Sequence, residues 1–485
     1  MSDIERVRVR MYEVGFGDSF LISYYYDEPV RYDGKRDRDG ELLDPRAERH
    51  MLMDFGSTSG AKAADMEAVA ERIEADCGGQ LDVLAVSHRH KDHMSGFGLA
   101  DASAVIDRLN PLLVVRSWTE DPSVPENADA PKSAHFVTAL DAGQAFAEML
   151  AFETDGHRSN SLRGGLHLAA DGQVKNKKAV DNLARWGARQ DQEFLHYGKE
   201  SKIEDYIPGA TIRVIGPPTV EQYGEVTRQD DRDPEYWMLH RAFDPATWAT
   251  HEGDFRTALA AVGIDTDAPE MLGAEGEQID PGPVRWLVEK MRRQHIQTLR
   301  RIVRDLDDAL NNTSLILLID VGNGDNSKRM LLSGDAQIEN WRFALEQADA
   351  TISPSSAECR QLLKEVDLYK VGHHGSRNAS PRSLVKLWEE KPRTDMVGLM
   401  STKSCFHGKK DTTRVPRQTL VDALAREMRL FTTDQEWYRV NEDNTPEYVE
   451  VEADLTTPKP FRLRRGRAGL IQENDIQIDC RNKGH

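Results

Sequence analysis

Residues 87–96 read SHRHKDHMSG and place His88, His90, Asp92 and His93 within six positions. Imidazoles and a carboxylate packed this closely repel one another when charged and lose hydration when buried, so the arrangement needs a reward. Two histidines two residues apart in an extended loop can face one metal ion. The Asp-His pair that follows, turned the other way, can face a second. Histidine with carboxylate suits zinc, manganese or iron, and two such ions about 3.5–4 Å apart share a hydroxide and clamp an in-line displacement.

LDVLAVS (81–87) precedes the cluster as a continuous apolar run, the pattern of a strand buried on both faces. The cluster therefore sits just past a strand's C-terminal end, where α/β sheets carry their sites. Upstream, VRVRMYEVG (7–15) alternates apolar and polar residues, SFLISYYY (19–26) resumes after a turn at Gly15 and Gly17, and MLMDFG (51–56) carries Asp54 at its end. Met66, Val69, Ala70 and Ile73 share one helical face, stopped by Gly78-Gly79. Downstream, ATIRVIGPP (210–218) is a strand, and SLILLID and RMLLSGD flank the turn VGNGDNSK as a hairpin. VDLYKVGHHGS (366–376) and DMVGLMST (395–402) are further strands running into loops. Val284 to Leu310 has helical spacing, with Arg292, Arg293, Arg300, Arg301 and Arg304 on the other face. That face is either solvated or a track for phosphates. Residues 436–485 read as charged and strand-poor.

The 485 residues are 39% hydrophobic and 30% charged, and no run approaches the roughly 20 apolar residues of a membrane span. A net charge of −19 argues against a surface built throughout to embrace nucleic acid. It leaves nucleic-acid chemistry open, because a metal site supplies positive charge locally. Cys77, Cys359, Cys405 and Cys480 form no CxxC pair, which suits a reducing compartment. The start, MSDIERVRVR, has no signal-peptide pattern, and the expectation is a cytoplasmic protein with no membrane partner.

A dinuclear site needs a bridging carboxylate and further histidines. Asp335, after a buried strand and beside Gly334, is costly unless it meets a cation, and His373-His374 end another strand. Taken in order, EVGFGDSFLI, MLMDFG, SHRHKDHMSG, NNTSLILL, LLSGDA, DLYKVGHHGS and CFHG resemble the metallo-β-lactamase superfamily with its HxHxDH signature. Within it they are most similar to the metallo-β-lactamase-like domain of the competence DNA-uptake protein ComEC and its soluble stand-alone relatives. The resemblance spans roughly residues 7–430 and is weak across 100–200 and 219–283.

It implies an α/β fold, the αββα sandwich of two mixed sheets with helices outside, over residues 1–435. Insertions fall at about 100–205 and 219–310, and 436–485 is a C-terminal extension. His88 and His90 would bind the first ion, Asp92 and His93 the second, with Asp335 as the bridge and one of His373 and His374 closing the second site. For the first ion's third histidine His196 is preferred, with His135, His157 and His167 as rivals. Asp54 would orient a ligand histidine, and Asp18 would do the same or cap a turn. His407 matches a late substrate histidine of the family, though the usual neighbouring asparagine and proline are absent. Ser376 and Arg377 either contact a phosphate or simply form a turn.

The function implied is a metal-dependent hydrolase, a phosphodiesterase or nuclease that attacks phosphorus with a hydroxide bridging two divalent ions. Zinc is the first expectation and manganese the second. Asp92, Asp335 and His407 carry the chemistry, and nucleic acid or another phosphodiester is the substrate. Hydrolysis of a carboxyl ester, thioester or lactone is the rival enzyme reading. A non-catalytic, partner-dependent subunit of a multi-protein defence system is the rival outside enzymology. The oligomeric state is not legible.

Overall fold

In strand β1 (Ile4–Tyr12), Val7, Val9 and Met11 point into one core while Arg8 and Arg10 point away, the period-two pattern expected of a pleated strand. The same alternation runs through β2 (Ser19–Val30) and β3 (Arg46–Phe55): Phe20, Ile22, Met51 and Met53 enter that core, and Leu21, Leu52 and Phe55 enter another. This computed structural model describes residues 3–465 apart from 33, 37–39, 59–62, 128, 142–175, 228–308, 377, 379, 394, 404–405, 407–414 and 435–447.

The remaining strands are β4 (Val83–Ala85), β5 (Leu113–Ser117), β6 (Gln192–Leu195), β7 (Ala210–Gly216), β8 (Ile316–Val321), β9 (Lys328–Leu332), β10 (Leu368–Lys370), β11 (Val397–Met400), β12 (Arg429–Thr432), β13 (Tyr448–Asp454) and β14 (Arg462–Arg465). They form an eight-stranded sheet in the order β14-β13-β1-β2-β3-β4-β5-β6 and a six-stranded sheet in the order β12-β11-β10-β9-β8-β7. Both sheets are mixed. In the first, β3 to β6 are parallel and β13, β1, β2 and β3 antiparallel; in the second, β9 to β12 are parallel and β7, β8 and β9 antiparallel.

One core lies between the sheets, joining Val9, Ile22, Met53 and Val83 to Leu317, Leu332, Leu368 and Leu399. A second covers the outer face of the eight-stranded sheet with α1 (Ala63–Asp76), α3 (Ala100–Leu109) and α4 (Lys177–Arg189), through Ile73, Ile106 and Trp186. A third covers the six-stranded sheet with α6 (Ile338–Arg342), α7 (Ser356–Leu363), α8 (Arg382–Glu389) and α9 (Gln418–Glu427), through Trp341, Leu363, Trp388 and Leu424. Two short helices, α2 (Lys91–Met94) and α5 (Ile203–Tyr206), belong to the same compact unit as these sheets. The layers run helix, sheet, sheet, helix, consistent with an αββα sandwich.

Two compact units divide the chain. The first holds 1–121, 176–226 and 311–485; the second holds 122–175 and 227–310. Of the stretch expected to be inserted at 100–205, α3, β5, α4 and β6 therefore belong to the sandwich. The strand-poor reading of 436–485 is corrected, because β13 pairs with β1 from Arg6–Asp454 to Tyr12–Tyr448. Charged residues misled it: Glu450 and Glu452 lie on the sheet face opposite Val449 and Val451, where they pair with Arg10 and Arg8. Most of the helix expected over 284–310 lies outside the described residues. Among the described residues no helix is long and apolar enough to cross a membrane.

Candidate metal centre

Four donors from three separate segments converge beyond the C-terminal ends of parallel strands. Asp92, His93, Asp335 and His374 each bring one ligand atom within 4.8 Å of all the others. His93 Nε2 lies 3.1 Å from Asp335 Oδ2, and His374 Nε2 lies 3.0 Å from Asp92 Oδ2 and 3.9 Å from Asp335 Oδ2. The local sequence explains the placement. After β4 the chain stays extended through His88 and His90, then α2 turns at once, with the His93 and Met94 amides donating to the His90 carbonyl. That single turn separates the HxH pair from the DH pair.

Each imidazole is anchored at one nitrogen so that the other faces the cluster. His93 Nδ1 donates to Asp54 Oδ2 at 2.8 Å, and His374 Nδ1 donates to the Ser401 carbonyl at 2.9 Å. Asp54 also accepts from the Ser87 amide at 2.7 Å and from Ser87 Oγ at 2.8 Å. Ser87 Oγ, its proton so engaged, accepts from His88 Nδ1 at 3.0 Å. His88 Nε2 then faces His90 Nδ1 at 2.8 Å, and His90 also meets the Asn311 side chain. The His88–His90 contact runs through one proton, which is what a cation would displace. Anchoring of this kind sets tautomer and ring direction in metal sites. The His88 and His93 rings are 4.3 Å apart, so the HxH pair adjoins the four-donor group.

A second acidic group, Asp18, Asp54 and His93, is also compact enough to hold a cation. It already contains one. The buried Lys370 ammonium pairs with Asp18 and stands 3.8 Å from Asp335 Oδ1. Lys370 is the charged residue of an otherwise apolar strand, and its pair with Asp18 repays its burial. Burial pulls the lysine pKa down, but Asp18 and Asp335 outweigh it and the net shift is upward. The Asp92–His93–Asp335–His374 group is thus the one left to receive an external cation.

The electrostatics match. Burial opposes the charge of Asp335, yet His93, His373 and His374 hold its carboxyl well below the usual range. Burial likewise opposes ionised Asp92, and the His374 hydrogen bond and His93 prevail. Burial lowers His93 and His374, while the surrounding carboxylates raise both above the ordinary imidazole value. His88 goes the other way, pushed well down by burial and by His93 and His90. The donor chemistry suits a divalent cation: two imidazole nitrogens and two carboxylates at one point, with the HxH pair beside them.

Backbone strain concentrates here. Asp54, His373 and His374 have φ of 58°, 44° and 52°, three of the four non-glycine residues at positive φ among the described residues. Glycine brings the loops together. A Cβ on Gly56 would lie 2.5 Å from Asp92 C and His93 N, and one on Gly334 (φ 49°) would lie 2.7 Å from Ser87 Cβ.

The remaining expected residues divide. His374, not His373, joins the four-donor group. His373 is a quarter exposed, its Nε2 is 3.8 Å from Asp335 Oδ2, and its amide donates to Asp335 Oδ1 at 3.0 Å. Among the described residues His196 stands in no group of three donors, and its Nδ1 donates to the Tyr197 carbonyl at 3.0 Å. The reason is topological: β6 is the edge strand, two places from β4, and strands are about 4.8 Å apart. His135 is exposed and belongs to the second unit. Ser376 takes the turn role, its Oγ donating to Asn378 Oδ1 at 2.7 Å. His157, His167, Arg377 and His407 lie outside the described residues. Ser87, Asn311, Lys370 and Ser401 were not singled out from the sequence. Lys370 alone carried a signal, a charge inside an apolar strand.

Comparison with protein-family models, with curated proteins and with solved structures gives no match to this chain.

Proposed function

We propose that the chain is a metal-dependent hydrolase of the metallo-β-lactamase type acting on phosphodiesters, nucleic acid foremost. The observation that carries the reading is the convergence of Asp92, His93, Asp335 and His374, with their imidazoles each anchored on the far side. The ordered motif series, from EVGFGDSFLI to DLYKVGHHGS, supports it independently. Asp92, His93, Asp335 and His374 would hold one divalent ion. His88 and His90 would hold a second, with Asp335 shared between them. Zinc is the metal the donor set suits best. When bound, the metal supplies a water acidic enough to attack at neutral pH and neutralises charge on the phosphoryl oxygens.

The chain's own residues then have distinct tasks. Asp92, with 15% of its side chain exposed against 1% for Asp18, Asp54 and Asp335, orients the attacking water. With the metal bound, water held there would form the new bond to phosphorus and lose its proton to solvent. His373, outside the four-donor group, gives a proton from Nε2 to the leaving oxygen as the old P–O bond breaks. Lys370 offsets part of the charge of four carboxylates, Asp18, Asp54, Asp92 and Asp335, so that bound divalent ions leave the site able to accept an anion.

The test is a panel of metal-loaded full-length protein on labelled DNA, RNA and bis-(p-nitrophenyl) phosphate, against thioester and lactone substrates, with His88→Ala/Asp92→Ala as control. Turnover of phosphodiesters that disappears in the control is expected. Turnover confined to the acyl substrates, or unchanged in the control, rejects the reading.

A further inference from the structure

The His88–His90 pair and the shared Asp335 offer an ion two nitrogens and one oxygen, and His196, beyond the edge strand, does not join them. A zinc-type site asks for a fourth donor. One buried polar side chain stands at that point. Asn311 is 1% exposed, and its side-chain oxygen makes no hydrogen bond of ordinary geometry. What that oxygen lies against is the His90 imidazole. A buried amide oxygen in this position has given up its hydration without a good replacement, and a cation beside it supplies one.

The placement of Asn311 is built into the fold. β8 runs antiparallel to β9, so the NNTS turn (311–314) leading into β8 lies at the end where β9 delivers Asp335. The Ser314 amide donates to the Asn311 carbonyl at 3.0 Å, and the Leu315 amide donates to the Ser87 carbonyl at 3.0 Å. The Asp335 amide donates to Ser314 Oγ at 3.3 Å. The turn is thus fastened on one side to the residue before His88 and on the other to the backbone of the bridging carboxylate. From behind, Asn340 Nδ2 donates to the Ser314 carbonyl at 3.0 Å, and Asn312 Nδ2 donates to Glu339 Oε2 at 3.2 Å. Those two side chains hold the turn, whereas the Asn311 oxygen holds nothing.

We propose that Asn311 Oδ1 is a ligand of the ion held by His88 and His90, completing with Asp335 a four-donor set in the place where a third histidine was expected. This rests on the two-ion reading above. An amide oxygen is neutral and harder than an imidazole nitrogen, so it moves the preference of this ion from zinc toward manganese. The Asp92 site has two carboxylates and this one only the shared Asp335. The two ions therefore bind unequally, and the one on Asn311 is the weaker.

The test reads metal binding, not turnover. Titration of metal-free full-length protein with Mn²⁺, followed by the electron paramagnetic resonance of the free ion, should resolve one tight and one weaker ion per chain. Asn311→Ala should weaken the second by about 100-fold, the upper end of what even a partner outside the ligand set is worth, and leave the tight ion in place. Its retention reports an intact fold. Asn311→Asp, which returns an oxygen with a charge, should bind the second ion at least as tightly as wild type. Asn311→His should shift that ion's preference toward zinc. Unchanged binding of both ions by Asn311→Ala overturns the proposal while the two-ion reading stands. Loss in Asn311→Ala that Asn311→Asp does not repair also overturns it, since the amide then acts only through packing. A wild type that binds a single ion overturns the two-ion reading and the proposal together, and leaves the phosphodiester reading to the substrate panel.

Discussion

His374 Nε2 and Asp92 Oδ2 lie 3.0 Å apart across 282 positions of sequence. The first follows β10 of the six-stranded sheet and the second lies in α2, beside the eight-stranded one, so this contact ties the two halves of the sandwich at the candidate metal centre. Removing either partner leaves a buried group without its counterpart. Elemental analysis of purified protein should therefore show His374→Ala and Asp92→Ala losing metal, while His373→Ala keeps it. If His373→Ala loses as much metal as His374→Ala, the assignment of His374 fails.

Asp54 provides a subtler handle, because it is not in the four-donor group yet holds His93 and Ser87 at once. Partners of this kind are worth roughly 10–100-fold in metal affinity. Asp54→Ala should weaken binding by about that factor in competition with a chromophoric chelator, with the fold intact by circular dichroism. An unchanged affinity would remove Asp54 from the site.

Lys370 tests the charge balance. It is almost fully buried between Asp18 and Asp335, and breaking a buried pair by deleting one partner costs about 3–5 kcal/mol. Lys370→Met should lose stability of that order in urea unfolding. Lys370→Met/Asp18→Asn should recover much of the loss, since no charge is then left unpaired between them. Additive losses in the double variant would show that the two side chains do not compensate each other.

How much of this was legible before the fold was known depended on local pattern. The strands around MLMDFG and the 316–332 hairpin follow from apolar runs and turn residues, and β8 pairs antiparallel with β9. Asp335 and the histidine pair were visible as polar residues at strand ends. The choice of His374 over His373 was not, because both imidazoles come within 4 Å of Asp335 Oδ2 and only the folded chain shows that it is His374 that also reaches Asp92. Nor was the anchoring by Ser87 and Ser401, since a serine before a histidine or a carbonyl 27 residues away leaves no pattern in one sequence. The position of His196 was hidden for the same reason: its strand-then-histidine pattern resembles that of the others, and only strand order shows it to follow the edge strand.

Gly56 makes a sharp steric prediction. Its missing side chain leaves room for the backbone of Lys91 to His93, with Lys91 O 2.6 Å from where a Cβ would stand. Backbone atoms cannot swing aside as a flexible side chain can. Gly56→Ala should cost about 1–3 kcal/mol of stability and displace α2, so that metal content falls as well. A stable variant with full metal content would mean that the α2 loop yields freely.

Protons and metal should compete measurably at this centre. Burial alone would discharge His93 and His374, but Asp335, Asp54 and Asp18 hold His93 above the ordinary imidazole value, and Asp18, Asp335 and Asp92 do so for His374. The protonated form of both is thereby favoured in the metal-free chain, and a cation must expel that proton. For the metal-free protein the sign is fixed: stabilisation from these raised histidines is complete below about pH 6.5, the unfolded imidazole value, and fades as pH rises through the raised folded values. Asp92 and Asp335, held low, contribute in the opposite sense, and their share is lost as pH falls below the carboxylate range. Metal affinity should consequently rise with pH through neutrality. Calorimetric titration of zinc in two buffers of different ionisation enthalpy should report proton release on binding, and His374→Ala should reduce it. Binding heats that do not depend on the buffer would mean that these imidazoles are already neutral, and the carboxylate cluster would then not be the group that charges them.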